Sequence, residues 1–445
     1  MDVKKHQAES RRRPSEVSAP RPPLARDVEI TRDADLPLPH PGLVQARRGP
    51  PRKGHGGVTL GRIDRICVLD GVVVRLESSA DPPRLYAQAG AENGSSAHCH
   101  AESSSAPRPC RDNIRKNGMI AWHRYDRPVN TAPEPLRKLY PAIEPYATHR
   151  INADGGHQLY VEEAGNRAGI PVVFLHGGPG SGLTPVMRRF FDPDRYRIIL
   201  PEQRGAGRST PRGELRHNTT WHLVEDLEMV RDCLGVDAWL VFGGSWGSTL
   251  GLAYSQSYPA RVAGLILRGI CLVRGSELAW IYQSGLHNLQ PEEWERFVAP
   301  IPVEERDDIL AAYHRRLIGD DRIVARRCAD AWMRWEAVNS SLTPDPHLIA
   351  TLTADDTVLP AAQILAHYAI NGGFFESESQ LLDGVDRIRH LPATIIQGRY
   401  DLCCPAVTAY ELARRWLEST LHMVADAGHS SLEPGITHQL ICRSS

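Results

Sequence analysis

The sequence predicts an α/β fold with a mostly parallel sheet and an inserted helical cap. Three observations carry this reading. Apolar runs of strand length, Val172-Val173-Phe174-Leu175, Arg197-Ile198-Ile199-Leu200 and Trp239-Leu240-Val241-Phe242, each end in a glycine-bearing loop. Helical patterns separate them, as over 220–234, where Leu223, Leu227, Val230 and Leu234 recur on one face behind the capping candidates Asn218 and Thr219. Strands alternating with helices imply βαβ units. A long helical stretch then intervenes between about Cys271 and Leu391 before short strands resume at 393–397 and 421–424.

The 445 residues accommodate two or three structural units, and 41% hydrophobic with 24% charged residues is ordinary for a globular chain. Lys+Arg 52 against Asp+Glu 53 leaves a formal charge of -1, which disfavours a dedicated nucleic-acid binder. No apolar run approaches the roughly 20 residues a membrane span needs. The opening Met1-Asp2-Val3-Lys4-Lys5 leads into Arg11-Arg12-Arg13 without an apolar core, so no secretory signal is visible. Nine cysteines without a CxxC pair suit reduced thiols, and a cytoplasmic location is expected.

Residues 1–132 are rich in Pro, Arg, Ser and Gly and are expected to form a disordered extension. Within it, Ile66-Cys67-Val68-Leu69-Asp70-Gly71-Val72-Val73-Val74 reads as a hairpin around Asp70-Gly71, too small to be stable alone. His98-Cys99-His100 with Cys110 could hold a metal or could be an ordinary polar loop, and Met119 is an alternative translation start. The first part of the α/β core is expected at 133–270, opening with a strand at 158–162, with a further strand at 262–267. The helical cap follows at 271–391 and the second part of the core at 392–445.

The chemistry concentrates at the loops that follow the strands. Gly243-x-Ser245-x-Gly247 lies between an apolar strand and a helix, the setting of a nucleophile elbow, where small residues permit the strained turn that lifts the serine hydroxyl above the sheet. A serine needs a base, and His429 in Ala427-Gly428-His429-Ser430 falls after the last strand; His422 and His438 are the alternatives. Asp401, after the preceding strand, can orient the imidazole, with Asp426 as its rival. Oxyanion donors would be the N–H of Trp246 and one from His176-Gly177-Gly178-Pro179-Gly180, Gly178 in preference to Gly177. These glycines are no phosphate cradle: no lysine follows Lys138, so a Walker A motif is excluded there. The architecture is therefore that of an α/β-hydrolase, a serine hydrolase.

Several stretches resemble the proline iminopeptidases, or prolyl aminopeptidases. They are Pro135-Leu136-Arg137-Lys138-Leu139-Tyr140-Pro141, the His176 to Gly180 loop, Gln203-Arg204-Gly205-x-Gly207-Arg208-Ser209, Asn218-Thr219-Thr220-Trp221-His222-Leu223, Gly243 to Thr249, Leu267-Arg268-Gly269-Ile270, Gly398-Arg399-Tyr400-Asp401, and Gly428-His429-Ser430 with Glu433-Pro434-Gly435. They extend from about residue 133 to the C-terminus. The resemblance implies release of N-terminal proline from peptides through a prolyl-enzyme ester with no metal and no cofactor, with peptides as partners and neither nucleic acid nor membrane. It also implies Glu336 and Arg268 as substrate-binding residues, Glu336 holding the substrate's free amine. The chain departs from the family at Leu365 and Val338, where carboxylates are usual, and at Glu202, where an aspartate is. A serine esterase or amidase without a free-amine requirement is the alternative that Leu365 and Val338 raise.

Overall fold

The computed structural model describes residues 135–444 and three strands within residues 1–121. Those strands, β1 (Ile63–Leu69), β2 (Val72–Glu77) and β3 (Arg84–Gln88), form an antiparallel sheet in the order β1-β2-β3. Leu69 pairs with Val72 across Asp70-Gly71, the expected hairpin turn, but a third strand joins it. The His98-Cys99-His100 and Cys110 group lies outside the described residues. Residues 1–121 and 122–445 form two separate compact units.

The second unit is built on an eight-stranded sheet in the order β11-β10-β9-β8-β6-β7-β5-β4. Its strands are β4 (Ala147–Asn152), β5 (Gln158–Gly165), β6 (Ile170–Leu175), β7 (Tyr196–Glu202), β8 (Trp239–Ser245), β9 (Val262–Ile270), β10 (Ala393–Gly398) and β11 (Thr420–Val424). From β7 to β11 all neighbours are parallel, while β5 and β4 add an antiparallel edge. β4, unforeseen in the sequence, is half exposed and lacks an apolar run.

Alternation along each central strand decides which cover it meets. Val173, Leu175, Trp239, Val241, Leu265, Leu267 and Ile395 pack on one face with α1 (Thr220–Cys233), α2 (Trp246–Ser257) and, further along, α10 (Ala406–Arg415). Val172, Phe174, Phe242, Ile266 and Ile396 face the other way, against Phe190, Phe191 and α11 (Pro434–Arg443). Both faces being covered explains why these strands read as continuous apolar runs. α1 begins where Thr219 accepts a hydrogen bond from the His222 N–H.

Between β9 and β10 lie α3 (Gly275–Tyr282), α4 (Pro291–Val298), α5 (Ile309–Leu317), α6 (Arg322–Asn339), α7 (Pro346–Leu352), α8 (Val358–Ile370) and α9 (Gln380–Asp383). They have their own aromatic core, in which Phe297 stacks on Tyr313 and Trp335 at 4.9 and 5.2 Å. That core ends at Ala369; Leu381, Val385, Ile388 and Leu391 pack instead with the sheet. No described helix is long and apolar enough to cross a membrane.

One buried ion pair fixes the loop after β7. The Arg204 guanidinium, 1% exposed, donates to both oxygens of Asp226 at 2.7 and 2.8 Å and also to Asp154. Arg204→Ala would leave Asp226 buried without a cation, a class of change that costs about 3–5 kcal/mol. The expected outcome is an unfolding free energy lower by that amount, read as a urea midpoint moved to lower concentration with an unchanged denaturant slope.

Candidate functional site

The carboxyl ends of β8, β9 and β10 converge where the sequence concentrates its polar loops. At the end of β8 Ser245 is held at φ 57° and ψ -129°, with a register shift between Gly244 and Ser245, and α2 starts at the next residue. The flanking glycines are required sterically: a Cβ on Gly243 would strike the Gly247 carbonyl, and one on Gly247 would strike the Leu175 carbonyl. The start of α2 places the Trp246 N–H among the unpaired amides of a helix N-terminus.

His429, buried in the loop after β11, directs Nδ1 at both oxygens of Asp401, at 3.0 and 2.8 Å. That bond places the proton on Nδ1 and leaves the Nε2 lone pair available. Asp401 is held from behind, accepting from the Cys404 N–H at 2.8 Å and from the Gln397 side-chain amide at 3.0 Å. Gln397 also accepts from the Ile270 N–H at 3.1 Å, so a fully buried side chain ties β9 to the aspartate. Gly269, at φ 55°, makes room: a Cβ there would lie 2.9 Å from His429 Cε1 and 3.3 Å from Asp401 Oδ2. Sequence reasoning missed Gln397 and Gly269; the latter stood in the quoted motif without a role.

The rivals are placed elsewhere. His422 lies within β11, His438 in α11, and Asp426 is not bonded to His429. Arg268 donates through Nη1 to the His429 carbonyl at 2.6 Å, and Gly428 N–H donates to Glu433 at 2.6 Å, so both ends of the histidine's peptide are anchored. The His176 to Gly180 loop is fixed by Gln203, whose N–H donates to His176 Nε2 at 3.0 Å; Nδ1 then donates to the Gly177 carbonyl at 3.0 Å. Burial pushes the His176 imidazole below its ordinary range, consistent with this neutral form. Gly178 has φ 106°, and a Cβ on Gly177 would sit 3.5 Å from Ser245 Cβ.

Two cavities meet at Ser245. The inner one, about 70 Å³, is mostly apolar, with Ile281, Leu365, Tyr368 and Cys404 in its walls. The outer one, about 620 Å³, contains Arg268, Ser340 and His429. Gly178, Ser245, Glu336, Leu365 and Cys403 border both.

Two carboxylates reach the inner cavity and differ in kind. Glu277 is saturated by the Leu272 and Arg274 N–H groups, the Arg274 guanidinium and the Thr408 hydroxyl. Glu336, on α6, accepts only neutral donors, Tyr282 Oη at 2.6 Å and Trp332 Nε1 at 3.3 Å, and burial raises its pKa. A buried carboxylate without a cation is costly and suits a cationic ligand. Leu365 faces the cavities from α8 as an apolar wall, whereas Val338 borders neither. Glu202 is buried beneath the neighbouring loop, accepting from Leu183 N–H at 3.1 Å and Arg208 Nη2 at 3.0 Å.

Residues 170–435 match the model of the alpha/beta hydrolase fold family. The chain is 51% identical to a proline iminopeptidase of Arabidopsis thaliana over 74% of this chain and 86% of that protein. It is 48% identical to one of Xylella fastidiosa over 69% and 98%, and 44% identical to one of Neisseria gonorrhoeae over 68% and 96%.

Any side chain at 269 would crowd the His429 ring and displace it, and a misplacement of about 1 Å can cost about 100-fold in rate. Gly269→Ala is therefore expected to slow labelling of Ser245 by a fluorophosphonate by about that factor, measured by mass spectrometry against time.

Proposed function

From the premise that the chain belongs to the proline iminopeptidases, within the α/β-hydrolase fold, we propose how these residues release an N-terminal proline. The enzyme is a serine aminopeptidase. Ser245 Oγ attacks the prolyl carbonyl as His429 Nε2 takes its proton, and Asp401 holds the imidazole and stabilises the imidazolium. The developing oxyanion is received by the N–H groups of Trp246 and Gly178. His429 then protonates the departing amine, leaving a prolyl ester on Ser245. Water, deprotonated by the same imidazole, attacks that ester, and free proline leaves with Ser245 restored.

The observation that carries the substrate assignment is Glu336: a buried carboxylate without a cation, bordering the same cavity as Ser245. A protonated secondary amine there forms a charge-assisted hydrogen bond worth about 1.5–3 kcal/mol, while the pyrrolidine ring fills the small inner cavity and the remaining peptide extends into the outer one. Arg268 is a positioning residue, acting through the His429 carbonyl. Leu365 supplies apolar contact instead of a second anchor, so amine recognition rests on Glu336. A cytoplasmic location fits a site walled by the thiols of Cys271, Cys403 and Cys404, which stay reduced there.

Prolyl-, alanyl- and N-acetylprolyl-naphthylamide distinguish the assignments. Fast turnover of the prolyl compound alone, lost in Ser245→Ala, is the expected result; equal turnover of the acetylated compound would replace the aminopeptidase by an esterase or amidase. Glu336→Gln should lower kcat/KM for the prolyl substrate by about 10- to 100-fold.

The same substitution makes a stability prediction of opposite sign. The folded Glu336 pKa lies above the ordinary value of 4.5, so the native state favours the protonated form. Its contribution is present below pH 4.5 and is lost as pH rises through the raised value. Glu336→Gln is thus expected to melt at a higher temperature than the parent at pH 8 and to converge with it near pH 4, read by scanning calorimetry.

A further inference from the structure

The wall beside the nucleophile contains a donor set that the hydrolytic chemistry leaves unused as such. We propose that Asp401, Cys403 and His429 form an inhibitory site for a thiophilic divalent cation, of which Zn²⁺ is the type. Each residue offers one ligand atom, and the three atoms lie within 4.8 Å of one another. Ligands at about 2.0–2.3 Å from a tetrahedral zinc stand about 3.3–3.7 Å apart, a contraction that small side-chain movements supply. One carboxylate oxygen, one sulfur and one imidazole nitrogen suit zinc or cobalt and exclude the all-oxygen preference of magnesium and calcium.

Access and charge support the site. Cys403 borders both cavities, and its Sγ has a distant hydroxyl partner, Ser340 Oγ at 3.9 Å. Burial holds that thiol well above its ordinary range, and the Glu336 and Asp401 carboxylates act in the same direction, so the thiol stays protonated until a metal displaces its proton, while their negative charge attracts the cation. Binding forms a sulfur–metal bond and releases the thiol proton to water; no electron is transferred. Among the described residues the other cluster with a suitable spacing, Asp154, His217 and His222, is largely exposed, carries the Arg204 guanidinium on Asp154 and has no thiol.

Metal on His429 Nδ1, the nitrogen that faces Asp401, would displace its proton to Nε2, so the imidazole could no longer accept the Ser245 proton. This inhibitory consequence rests on His429 being the base proposed above, whereas binding does not, and the experiment separates the two. Co²⁺ added to full-length Ser245→Ala is expected to give a thiolate-to-cobalt charge-transfer band that saturates at one equivalent and is displaced by Zn²⁺. Cys403→Ser in that background should lose the band, and Cys442→Ala, which removes a thiol beside His438, should keep it. In the parent enzyme Zn²⁺ should inhibit prolyl-naphthylamide hydrolysis reversibly with EDTA. Each normalised to its own metal-free rate, Cys403→Ser and Cys403→Ala should need at least about 10-fold more Zn²⁺ for half-inhibition. A band that survives Cys403→Ser, or equal zinc sensitivity in all three proteins, would overturn the site. A Cys403-dependent band in a chain that does not cleave the prolyl substrate would instead leave the metal site standing and reject the assigned activity.

Discussion

Ser245 occupies a backbone conformation, φ 57° and ψ -129°, that costs a non-glycine residue of order 1–3 kcal/mol and persists only where its surroundings over-determine it. Those surroundings can be followed outward. The carbonyls of Leu175 and Gly247 close on Gly247 and Gly243, so the turn cannot relax into a wider one. α2 is buried along nearly its whole length, which fixes the direction in which the chain must leave the turn. The Ser248 hydroxyl donates to the Ser245 carbonyl at 2.7 Å and accepts from the Cys271 N–H at 3.3 Å, locking the elbow to the end of β9. The sheet supplies the strain energy through packing on both faces, and the strain places one hydroxyl above its carboxyl edge.

The polar groups divide by whether the fold has already satisfied them. Arg204 with Asp226, Arg188 and Arg208 with Glu162, and Arg274 with Glu277 are paired within the chain and shape loops. Asp401 is satisfied too, but by Gln397, the Cys404 N–H and His429, so in the metal-free chain its charge orients a neighbour. Glu336 alone among the carboxylates bordering the two cavities faces them with neutral partners only. Binding and orientation are thus assigned to different acids by their partners, not by residue type.

Much of this was legible before any coordinates. The elbow glycines announce Ser245, and the apolar runs of β6, β7, β8 and β9 were placed within a few residues because strands buried on both faces have no polar alternation to confuse. Asp401 and His429 followed from their places after β10 and β11. What escaped depends on distant pairing. β4 carries no apolar run, and β3 has only Leu85-Tyr86-Ala87 between polar ends. Gln397 is the last polar residue of an apolar strand, and nothing local says that it bonds residues on two other segments. α9 has the same helical pattern as its predecessors, and its packing against the sheet through Leu381 is likewise invisible in the sequence.

Leu365 brings these constraints together. It stands where the family resemblance places a second carboxylate, yet it is 4% exposed among Tyr282, Trp332 and other members of an apolar core. A second buried acid there would need its own donors, and Tyr282 and Trp332 already serve Glu336. Two carboxylates sharing one dry cavity repel each other and raise one another's pKa, so a site with one acid keeps that acid ionised over a wider pH range at the cost of one contact to the amine. The replacement therefore exchanges some affinity for a carboxylate that is more readily charged when the substrate arrives, and it leaves an apolar surface for the pyrrolidine ring beside the charge that selects its nitrogen.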